Sequence, residues 1–60
     1  MERYTVHCTD VDDLQETLDR MERVGVEVDV LDEAALTLQG KVDDETISAF
    51  VDLNLNIDWE

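Results

Sequence analysis

The chain contains no proline, two glycines, one cysteine, one histidine, three aromatic residues and four basic ones. Each scarcity excludes something. Cys8 is alone, so no internal disulfide can form. His7 is also alone, so one chain cannot assemble a Cys/His zinc site and no metal or other cofactor is expected. Gly25 and Gly40 are too few for a phosphate-cradling loop. Arg3, Arg20, Arg23 and Lys41 are too few to grip a nucleic-acid backbone or an anionic lipid surface. No apolar run approaches the 18 or so residues of a membrane span, and no signal-peptide pattern is visible. The expectation is a soluble cytoplasmic chain.

Acid is what the chain has in excess. Asp and Glu supply 17 of 60 residues, for a formal net charge of −13, while apolar residues still make up 43%. The acids alternate with apolar residues from Glu2 to Glu60 and never form a long block, so this is not a disordered acidic tail. So many unbalanced charges repel one another and destabilise a compact state. At molar salt the Debye length falls to about 3 Å and the repulsion nearly vanishes. Abundant Asp with a single Lys resembles the surfaces of halophilic proteins.

Sixty residues make one small domain, spanning 1–60, of marginal stability. Such scaffolds usually need a staple. With disulfide and zinc excluded, what remains is self-association, a protein partner, or a solvent that strengthens burial.

The pattern of side chains predicts six elements. Tyr4, Val6 and Cys8 alternate with Arg3, Thr5 and His7, the period of a half-buried strand. Thr9 and Asp10 offer cap chemistry for a helix over 11–23. Its apolar stripe is Val11, Leu14, Leu18 and Met21, with acid-first pairs Glu16–Arg20 and Asp19–Arg23 on the far side. Gly25 suits its C-terminal cap. Val26, Val28 and Val30 alternate with Glu27, Asp29 and Leu31 as a second strand. Asp32 and Glu33 read as a tight connection into a third, through Leu36 and Leu38, that Gly40 breaks. Asp43 or Asp44 can cap a second helix with Val42 as a hydrophobic staple, inner residues Ile47, Phe50 and Val51, and an end at Asn54. Leu55, Ile57 and Trp59 form the last strand.

The order β-α-β-β-α-β is the split βαβ pattern of ferredoxin-like folds. It predicts an α+β two-layer sandwich with two helices on one face of a four-stranded antiparallel sheet. The uncovered face would carry Arg3, Thr5, His7, Glu27, Asp29, Leu31, Ala35, Thr37, Gln39, Asn56, Asp58 and Glu60. It has no aromatic platform for stacking bases, which argues against RNA recognition. Candidate interface residues are Arg3, Thr5, His7, Leu31 and Ala35 on this face, with Trp59 as an aromatic anchor for a partner.

Catalytic signals are weak. His7 and Cys8, as strand neighbours, point to opposite faces and cannot act as a nucleophile–base pair. The run from Asp10 to Asp13 opens like a calcium loop, but Gln15 stands where glycine is needed and Met21 where the bidentate Glu belongs. Acids here and at Asp43–Glu45 suit the first turns of helices. The reading is a non-enzymatic interaction or dimerisation module, self-associating or bound to another protein. Two alternatives are a DNA-mimicking inhibitor of a nucleic-acid-binding protein and a dimeric sensor of a small ligand.

Overall fold

The computed structural model describes residues 2–60. Its elements run β1 (Glu2–His7), α1 (Val11–Arg23), β2 (Val30–Asp32), β3 (Thr37–Val42), α2 (Asp44–Val51) and β4 (Ile57–Trp59). The strands form one antiparallel sheet in the order β2-β3-β1-β4. Tyr4, Val6, Leu38 and Val42 lie on one face of it and make a single buried cluster with Leu14 and Met21 of α1 and Phe50 of α2. Both helices therefore cover the same face, giving the α+β two-layer sandwich that the element order predicts.

Capping fixes α1 at both ends. Asp10 accepts the Asp13 N–H at 2.7 Å, closing the first turn. At the other end Gly25 takes φ +87°. Its N–H donates to the Glu22 carbonyl and the Val26 N–H donates to the Met21 carbonyl, the paired bonds of a Schellman motif. The buried stripe is Leu14, Thr17 and Met21, a period of three to four residues. Val11 falls outside it and is 49% exposed, contrary to the expected stripe. Thr17 takes the inner place, buried beside Cys8. Of the two expected ion pairs on the outer face, Asp19–Arg23 closes at 3.0 Å.

The second strand differs most from expectation. Residues 26–29 lie outside the sheet's strands, and β2 holds only Val30, Leu31 and Asp32. Val30 stands opposite Gln39, and the Asp29 N–H also reaches the Gln39 carbonyl at 2.8 Å. Two residues facing one is the count of a β-bulge. The extra residue reverses the alternation that Val26 and Val28 begin. Leu31 thus pairs with Leu38 on the helix side, and Val30 moves to the open face. The hairpin that follows spans residues 33–36, longer than the expected tight turn. The Asp32 carboxylate accepts the Ala34 and Ala35 N–H groups, both at 3.0 Å, and Leu36 adopts φ +55°.

Gly40 does not end β3, which continues to Val42. It pairs with Tyr4 across β1. A Cβ there would sit 2.7 Å from the Glu27 carbonyl oxygen and 2.8 Å from the Tyr4 hydroxyl. The glycine leaves room for the buried Tyr4 hydroxyl to donate to that carbonyl. Phe50 then meets Tyr4 and Trp59 edge to face, with ring centroids 4.7 and 5.7 Å away. The chain's three aromatic rings thereby form one stack between α2 and the sheet.

For α2, Asp43 is the cap, accepting the Thr46 N–H at 2.9 Å. Phe50 faces inward, but Val51 is 51% exposed, against expectation. Asn54, at φ +57°, turns the chain toward β4.

Candidate interaction surface

The pairing register sets the membership of the open sheet face. Thr5 sits at its centre, half-buried between Gln39 of β3 and Asp58 of β4. Arg3 lies opposite Lys41, and His7 opposite Thr37. Val30 and Asp32 extend the face onto β2. A shallow groove of about 220 Å³ runs between Arg3, Gln39, Lys41 and Glu60.

The open face carries charge of both signs. It holds two of the four fixed cations, Arg3 and Lys41. Against them stand Asp29, which lines the groove beside Val30, and Asp32, Asp58 and Glu60. The His7 Nε2 is 2.7 Å from the Asp58 carboxylate, and the Arg3 guanidinium is 3.9 Å from that of Glu60. The face therefore sets two of the chain's four fixed cations among four acids. The acids that make up the excess stand on the outer faces of α1 (Asp12, Glu16, Asp19, Glu22) and α2 (Asp44, Glu45) and in the loops.

Of the six candidate interface residues, Arg3, Thr5 and His7 come together on the open face. Leu31 does not, because the bulge turns it to the helix side, where it is 39% exposed. Ala35 stands in the hairpin loop, off the sheet. Trp59 pairs with Tyr4 on the helix side, 40% exposed. Glu27 and Asp29 precede β2, so neither occupies a strand position on the open face. Lys41 belongs to the face and is missed if β3 is stopped at Gly40. The alternation Leu38, Gly40, Val42 is the signal that would have included it.

The chemistry-bearing residues stay apart. His7 is exposed on the open face, while Cys8 is half-buried beside Thr17. Burial pushes the Cys8 thiol above its ordinary pKa, a hydrogen bond with Thr17 pulls it back, and Asp13 and Asp10 raise it further. The thiol is held in its protonated, poorly nucleophilic form. Among the described residues, no three His, Cys, Asp or Glu side chains converge to hold a metal ion. No helix among them is long and apolar enough to cross a membrane. Comparison with protein-family models, curated proteins and solved structures finds no match to this chain.

Proposed function

We propose that the chain is a non-enzymatic interaction module that self-associates through its open sheet face in concentrated salt. The observation that carries this reading is the placement of Arg3 and Lys41 on one sheet face beside Asp58 and Glu60, where a second copy can pair with them. Association through the outer face of α2, which holds Asp44 and Glu45 and no cation, would bring carboxylates against carboxylates. Association of two open faces about a two-fold axis lets Arg3 and Lys41 of one copy approach Asp58 and Glu60 of the other. The small size of the domain supports the same reading, since a chain of 60 residues with no disulfide is marginal alone and association is one of the staples left to it.

The acidic excess belongs to the solvent side of this proposal. Carboxylates spread over two helices and several loops suit a surface adapted to salt. A mimic of DNA would concentrate them along one face. Partners carrying phosphate backbones are disfavoured for the same reason.

Light scattering at molar KCl tests the reading. The expected mass is that of two chains, approached as concentration rises. A single-chain mass at the highest soluble concentration would remove self-association from the account.

A further inference from the structure

The two edges of the sheet are not alike. The edge at β2 is interrupted by the bulge at Asp29 and Val30, a common way to blunt an edge. The edge at β4 has no such interruption. The His7 N–H donates to the Asn56 carbonyl and the Glu60 N–H donates to the Arg3 carbonyl. By antiparallel alternation, residues 56, 58 and 60 turn their backbone groups toward β1, while Ile57 and Trp59 turn theirs outward. No described backbone group pairs with these outward groups.

Beside this edge lies the most apolar of the surface clefts, about 500 Å³, on the helix side of the sheet. Trp59, Ile47 and Val51 line it, and the last is the most exposed large apolar residue among those described. Glu2, Asp44 and Asp52 stand around it. Asp58, with a largely exposed side chain, projects from β4 on the opposite side. None of the chain's four cations lines the cleft.

The geometry points to a second binding site, at the β4 edge, sharing only Asp58 with the open sheet face: β4 accepts an extended, basic-apolar segment of another protein as an added antiparallel strand. The outward N–H and C=O groups of Ile57 and Trp59 would pair with it. Its apolar residues, opposite Ile57 and Trp59, fall on the helix side and enter the cleft, since cross-strand neighbours stand about 5 Å apart. Its intervening Lys or Arg residues meet Asp58 on the open side, and a terminal one meets the carboxylates at the cleft. Charges in direct contact still interact at molar salt, where the Debye length is about 3 Å. A second copy of this chain is the poorer occupant, because β4 would bring Asp58 and Glu60 against their own kind.

Trp59 is the chain's one tryptophan and reports on this site directly. The probe is a capped octapeptide alternating valine with lysine, titrated at molar KCl while Trp59 emission is followed. A saturable blue shift is expected, and Val51→Lys should weaken it about tenfold. That variant should keep the wild-type circular dichroism, because Val51 faces solvent. N-methylation of the valine amides, which face β4 in the antiparallel pairing, should abolish binding, while N-methylation of the lysine amides should leave it intact. No emission change up to the solubility limit would overturn the proposal, as would equal binding of the two methylated peptides or the reverse preference. So would an emission shift that follows chain concentration without peptide, which would give the edge to a second copy. A Thr5→Asp variant, altered on the opposite face, should still bind the peptide, which separates this site from the proposed dimer.

Discussion

Replacing Gly40 by alanine tests the packing of Tyr4 against the sheet, because two arguments predict opposite signs. By intrinsic preference the change should stabilise. Gly in a strand costs roughly 0.5–1 kcal/mol relative to alanine through backbone entropy, and Gly40 shows no left-handed φ that an alanine would resist. By local geometry it should destabilise. The new Cβ would lie 2.7 Å from the Glu27 carbonyl oxygen, 2.8 Å from the Tyr4 hydroxyl and 3.2 Å from the Asp29 nitrogen. None of these is the free end of a flexible chain: two are backbone atoms, and Tyr4 is 2% exposed and packed against Phe50. Relief requires breaking the Tyr4–Glu27 hydrogen bond, which leaves a buried hydroxyl and a carbonyl unpaired at about 1–3 kcal/mol. Shifting the bulge by several tenths of an ångström adds to this. The net expectation is a loss of about 2 kcal/mol, a large part of the roughly 3–9 kcal/mol that a chain of this length commands. Urea unfolding at molar KCl, followed by far-UV circular dichroism, measures it. In a Tyr4→Phe background the hydroxyl is gone and one of the three close approaches with it, so Gly40→Ala should cost less there. An alanine variant as stable as the wild type would refute this account of β3.

Stability should fall on the alkaline side through Tyr4. Burial first, then Asp29 and Glu27, push its phenol from 10.0 up to about 12. The folded state thus holds the proton more tightly than the unfolded one, and its contribution is complete below pH 10 and lost as pH rises to 12, by about 2–3 kcal/mol; urea midpoints of wild type and Tyr4→Phe across that window check it. Lowering salt from molar to about a tenth molar should weaken or abolish the folded signal, as screening of the net charge of −13 relaxes; circular dichroism unchanged across that range would contradict the salt-adapted surface. Asp10→Ala removes the bond to the Asp13 N–H and should cost about 1 kcal/mol in the same unfolding assay.

Much of this architecture was legible in the residues. Helix α1 shows at both ends, because a capping acid and a C-terminal glycine each act through local hydrogen bonds. Strand β1 shows because its period is uninterrupted. The misread parts of β2 and β3 share one cause: they depend on contacts between distant residues. The bulge at Asp29 and Val30 answers to Gln39, so no local pattern announces that Leu31 and Val30 exchange faces. Gly40 reads as a breaker until Tyr4, 36 positions away in the chain, is seen to occupy the space a side chain would take. Thr17 stands outside the apolar stripe that the sequence suggests, yet it is buried beside Cys8. For the open face, Arg3, Thr5 and His7 follow from strand parity alone, whereas Lys41 requires knowing that β3 passes through its glycine. The unpaired edge of β4 follows from hydrogen-bond phase, which one sequence cannot display.

Sedimentation equilibrium at molar KCl, run on the wild type and on Thr5→Asp, tests the central claim most directly. Thr5 lies at the middle of the open face, and a carboxylate there places two like charges at the centre of the proposed interface. The account predicts a dimeric wild type and a folded, monomeric Thr5→Asp. A wild type that stays monomeric, or a variant that dimerises as strongly as the wild type, would contradict it.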